Sequence, residues 1–96
     1  MTTALIFLAL AHAFDYVTFL AMTSRHGLAA EANPVVIHLA QSYGLPGLTL
    51  VKIASVVFLG AVVLLAAPQR RRVAVILVTI GITAGVVGGI SNVASF

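Results

Sequence analysis

Three apolar runs limit what this chain can fold into. They are Thr3 to about Thr23, about Gly47 to Ala67, and Val73 to about Ala94. Each comes close to the ~20 residues a helix needs to cross a ~30 Å hydrocarbon core. Inside lipid no water pairs with backbone N–H and C=O groups, so a spanning segment is a helix or part of a closed barrel. Continuous runs of this length predict helices. A water-soluble helical protein needs polar helix faces to coat its core. This chain lacks them, being 61% hydrophobic and 7% charged, against about 25% charged in a typical soluble domain. The expected class is all-α and integral to the membrane, a single domain over residues 1–96 with three transmembrane helices.

The connection between the first two runs, "SRHGLAAEANPVVIHLAQSYGLPG", carries helix grammar. Asn33 suits an N-cap, Pro34 the first helical position and Gly44 a terminator. These predict a short additional helix over about 34–43. Its ~15 Å rise is too small to cross. It is expected to be interfacial or re-entrant, lying at the membrane surface or dipping in and returning. Gly44-Leu45-Pro46-Gly47 then breaks the chain ahead of the second span.

The loop between the second and third runs, "APQRRR", sets the expected orientation. Short loops rich in Arg stay in the cytoplasm. The N-terminus is then cytoplasmic, the Ser24–Pro46 connection outside, and the C-terminus outside. Arg25 opposes this more weakly than Arg70, Arg71 and Arg72 support it. Ala11 and Ala13 form a small-x-small pair such as signal peptidases cleave. No Lys or Arg precedes them and the run before them is short, so this segment is expected to be retained. The net charge of +3 is not a nucleic-acid signal, because its main source is one arginine block without aromatic neighbours. The chain has no cysteine, which excludes disulfides and thiolate metal sites.

Asp15 interrupts the first span, and Lys52 the second. On the expected orientation Asp15 lies roughly 12 Å, and Lys52 roughly 8 Å, below the outer end of its helix. Asn92 lies near the outer end of the third span. Charges inside a membrane are costly and pair with each other or face water, so Asp15 and Lys52 are expected to meet. His12 and Thr18 stand three residues either side of Asp15, on the same helix face. The face His12–Asp15–Thr18/Phe19–Met22 is expected to point inward, with Ile6, Leu10 and Val17 outward. The pair has two readings: a static staple that fixes helix register, or part of a proton or ion path. Glu31 and Asn33 also divide, between a helix cap with a favourably placed carboxylate and the rim of an outer vestibule.

Gly81, Gly85, Gly88 and Gly89 crowd the third span. Their small-xxx-small spacing lets another helix approach closely. That helix belongs either to this chain or to a second copy. Three helices bury little surface among themselves, so a homo-oligomer, or assembly with another membrane protein, is expected. His12, His38, Asp15 and Glu31 lack the tight spacing of a metal site, and no metal is expected. No nucleophile–base set, phosphate loop or cofactor fingerprint is present. No cofactor and no enzymatic activity are expected. The serines read as helix hydrogen-bonders.

The order Asp15-x-x-Thr18, Glu31-x-Asn33-Pro34, Lys52 resembles a domain-of-unknown-function family of small bacterial and archaeal membrane proteins. The resemblance runs from about Leu5 to Leu59 and implies the same short membrane architecture, without an activity. The leading functional expectation from the residues is proton or small-cation translocation by an oligomer, through Asp15, Lys52, His12, Thr18 and Asn92. The alternative is a non-catalytic scaffold or accessory subunit, with the glycine face docking a partner.

Overall fold

A computed structural model describes residues 1–27, 31 and 33–96. Helix α1 covers Thr2–His26, α2 covers Pro34–Ala66 and α3 covers Arg71–Ala94. There is no strand among the described residues. All three helices are long and apolar enough to cross a membrane, with mean hydropathy of 1.8, 2.5 and 2.4 in their most apolar windows. The shortest, α3, has 24 residues. At ~1.5 Å per residue it exceeds the ~30 Å hydrocarbon core.

Local chemistry sets the helix boundaries. α1 stops at Gly27, whose φ of 65° suits a residue without a Cβ and whose N–H bonds the Thr23 carbonyl. α2 starts where the Asn33 side chain accepts from the Val35 N–H at 3.0 Å, with Pro34 in the first turn, where no N–H is missed. The Arg70 N–H bonds the Ala66 carbonyl at 2.7 Å and turns the chain into α3.

The stretch expected as a short helix over 34–43 is helical and forms the first part of α2, joined to the rest across a kink. Helix runs from Pro34 to Ala66, and Gly44 alone leaves helical geometry, at φ 71° and ψ −175°. A glycine adopts that backbone cheaply, so the chain bends at one residue and resumes. Pro46 falls in the first turn after the bend, where its missing N–H costs least. The predicted break is therefore a joint inside α2, and the second helix begins well before Gly47.

α1 and α3 pack along most of their length, α2 rests mainly on α3, and it touches α1 in few places. Near the arginine loop, Leu8, Val63, Ala74 and Val78 are buried together. Toward the other end Phe19, Met22 and Leu48 form a second cluster, covered by Val36, Leu39 and Ala40 from before the Gly44 joint. Ile6, Leu10 and Val17 are exposed on the opposite face of α1, where a bilayer would receive them. Several hydroxyls inside the spans bond their own helix, Thr18 to the Phe14 carbonyl at 2.7 Å and Ser55 to that of Val51 at 2.8 Å, which spares them from standing unpaired in apolar surroundings.

The glycine face of α3 is covered by α1 of the same chain. A Cβ on Gly85 would stand 2.8 Å from the Ala11 carbonyl carbon. One on Gly81 would meet the tips of Leu59 and Leu8, at 2.6 and 2.7 Å. One on Gly89 would strike the Phe14 ring. Leucine tips can turn aside and backbone cannot. Gly85→Ala should therefore destabilise the protein by about 1–3 kcal/mol, the usual cost of overpacking, and Gly81→Ala by less. Thermal unfolding of the two variants in detergent, followed by circular dichroism, checks this order.

Candidate functional site

Asp15 sits on the α1 face that turns toward both other helices. Lys52 reaches it from α2, with Nζ 2.7 Å from Asp15 Oδ2. Both partners belong to one chain, and about a quarter of each side chain is exposed. This is the one ion pair among the described residues. The Lys52 Nζ also lies 2.8 Å from His12 Nδ1, and His12 Nε2 lies 2.9 Å from the Gly81 carbonyl oxygen. These contacts fix the tautomer. A carbonyl only accepts, so Nε2 carries the proton; an ammonium only donates, so Nδ1 accepts. The imidazole is neutral and joins Lys52 to the backbone of α3.

Asn92 completes the set from α3. It is buried, with 7% of its surface exposed. Its side-chain amide donates toward the Asp15 backbone carbonyl at 3.0 Å, Asp15 Oδ1 at 3.1 Å and Thr18 Oγ1 at 3.2 Å. The two carboxylate oxygens of Asp15 thus have different partners: Oδ2 takes the ammonium and Oδ1 the amide. Gly88 makes room for this arrangement, because a Cβ there would lie 2.7 Å from Asp15 Oδ1. His12, Asp15, Thr18, Lys52 and Asn92 therefore form one network across three helices.

Above the network lies a cleft of about 570 Å³, reached from the end of the bundle away from the arginine loop. Asp15, Lys52, His12 and Asn92 line its polar side, and Phe19, Leu48 and Val87 are among its apolar walls. Glu31 and Asn33 also line it. Glu31 Oε1 accepts from the Asn33 N–H at 2.9 Å, and Asn33 caps α2. The Glu-x-Asn-Pro stretch is thus both a cap and a wall of the cleft. His38 is exposed, and the described residues contain no group of three ligands able to hold a metal. Gly81 has a part beyond packing, as the acceptor for His12.

Two residues of the site are silent in the sequence. The Tyr16 hydroxyl hydrogen-bonds Thr49 Oγ1. Thr49 donates its own proton to the Leu45 carbonyl at 2.9 Å, so the tyrosine is the donor. This second link between α1 and α2 lies next to the first. Thr49 is three residues before Lys52 and hence on its face, and Tyr16 adjoins Asp15; that neighbourhood was the available signal.

Removing one charge leaves the other uncompensated in a poorly hydrated place, which costs ~3–5 kcal/mol when burial is complete. Partial exposure to the cleft places this pair toward the lower end. Asp15→Asn and Lys52→Met should each destabilise the protein more than the double variant does. A double-mutant cycle read by chemical or thermal unfolding in detergent checks it; strictly additive losses would show that the charges are not coupled.

No curated protein and no solved structure matches this chain. The family model described as Domain of unknown function (DUF5658) matches residues 6–94. That match takes in α2, α3, all but the first turn of α1 and every residue of the network, and the chain belongs to this family.

Proposed function

We propose that this protein is a multi-pass membrane protein whose polar network takes up and passes on a proton or a small cation. One observation carries the reading. A single ammonium, that of Lys52, stands within hydrogen-bond distance of both a carboxylate and an imidazole nitrogen, 2.7 and 2.8 Å away. A proton there has three adjacent holders, at the base of a cleft that also contains Glu31. Ionisable groups at membrane depth pair with one another and mark ion and proton paths, so such a residue is read by default as a functional-site candidate.

On the orientation read from Arg70–Arg72, the N-terminus is cytoplasmic, the C-terminus outside and the cleft opens outward. The Pro34–Tyr43 part of α2 then lies at the outer interface or re-enters beside Phe19 and Met22. Toward the cytoplasm the network ends on the apolar cluster of Leu8, Val63, Ala74 and Val78. Passage across the membrane accordingly requires a helix movement or a second copy, and a homo-oligomer supplies the latter.

A second reading rests on a different observation. No buried side-chain nitrogen or oxygen among the described residues lacks a hydrogen-bond partner. A saturated network suits a static staple in a scaffold or accessory subunit. In that reading the partner docks elsewhere than on the glycine face, which α1 occupies.

Proton and monovalent-cation flux into liposomes separates the two. The wild type should conduct, and the Asp15→Asn/Lys52→Met double variant, shown folded by circular dichroism, should lose at least tenfold in flux. Unchanged flux in that variant, or no flux in the wild type, would leave the network as a staple.

A further inference from the structure

At the end opposite the cleft, α1 and α3 part to form an apolar groove of about 500 Å³. Met1, Ala4, Phe7, Val75 and Ile82 are among its walls, and Arg71 stands at its mouth. Arg70, Arg71 and Arg72 are all exposed. The chain has only two acidic side chains, Asp15 and Glu31. Asp15 is held by Lys52, and Glu31 lines the cleft at the far end. The three arginines therefore have no side-chain carboxylate to pair with in their own chain. No side chain caps α3 either, so the first N–H groups of that helix also face outward beside the guanidinium groups.

The groove has the depth of one leaflet. From Arg71 to Ile82 the helix rises about 16 Å, roughly half of a ~30 Å hydrocarbon core. A ligand that fits has an anionic head for the guanidinium and an apolar tail of about that length. Arginine matches phosphate oxygens with two parallel hydrogen bonds. On the orientation read from the arginine loop, the groove opens to the cytoplasmic leaflet, where anionic lipids supply that chemistry.

We infer that this groove is a binding site for an anionic phospholipid, with the phosphate at Arg71 and an acyl chain against Phe7, Val75 and Ile82. The site is independent of the polar network and of its proposed function. A phosphate there also offsets the unfavourable placement of cations at the N-terminus of α3.

Lipid retention tests this on the purified full chain in detergent. Phosphatidylglycerol and phosphatidylcholine with identical acyl chains are added in equal amounts, and bound lipid is counted by native mass spectrometry. The wild type should retain phosphatidylglycerol several-fold over phosphatidylcholine. Arg71→Gln should cut that preference about fivefold, the equivalent of ~1 kcal/mol per surface cation. Val75→Trp, which fills the groove and keeps every charge, should lower retention of both lipids. Arg71 and Val75 are exposed, so both variants keep the packed interior. Equal retention of the two lipids by the wild type would overturn the assignment, as would an unchanged preference in Arg71→Gln. So would inorganic phosphate displacing the lipid at equal concentration, or a dimer mass appearing in place of the lipid adduct.

Discussion

The close approach of α1 to α3 along Gly81, Gly85, Gly88 and Gly89 governs the rest of the structure. In lipid no hydrophobic force pulls helices together, and van der Waals contact must supply the attraction. Glycines bring the two backbones near enough for that. They also decide where polar atoms go. The Gly81 carbonyl comes within reach of His12, and the bare Cα of Gly88 lets Asp15 turn its carboxylate along α3 toward Asn92. A bulkier seam would hold α3 away, and Asp15 would lose its amide partner. The packing of the apolar helices and the geometry of the polar network are one arrangement.

α2 depends on that arrangement in a different way. Its backbone lies mainly along α3 and approaches α1 in few places. Apart from the apolar contacts of Leu48 and Val63 with α1, its ties to α1 are polar: Lys52 to Asp15 and His12, and Thr49 to Tyr16. Such ties gain from a surrounding of low dielectric, where Coulomb attraction is weakly screened. They also specify register, because a shift of α2 by one residue turns Lys52 away from both partners. The glycine seam determines how close α1 and α3 lie, and the lysine determines where α2 stops along them.

Much of this was legible in the residues. Length and hydropathy fix three spans. The matching depths of Asp15 and Lys52 pair them, and the three-residue spacing of His12, Asp15 and Thr18 puts them on one face. The glycine spacing announces a close helix neighbour. It does not say which one, because a stripe of small residues fits any smooth helix; only the fold shows that Ala11 and Phe14 of the same chain fill it. Gly44 and Pro46 announce a break. They do not reveal that helix resumes one residue later, since a single positive φ can end a helix or merely bend it. The tie between Tyr16 and Thr49 was hidden because no spacing pattern joins a tyrosine on one span to a threonine on another, and the threonine hydroxyl already has a partner in its own helix. Their meeting follows only once Lys52 has set the register of α2.

The separation of charge along the molecule has an electrical consequence. Both carboxylates lie in the half that holds the cleft, and the arginine block caps the other end. A charge carried through the whole membrane field exchanges ~2.3 kcal/mol per 100 mV. On the proposed orientation the arginines stand on the negative side of an energised membrane, and the potential then favours the bundle in that sense over its inversion. The same field falls across the Asp15–Lys52–His12 network. If the network passes a proton as proposed, that proton moves within the field and its distribution depends on voltage.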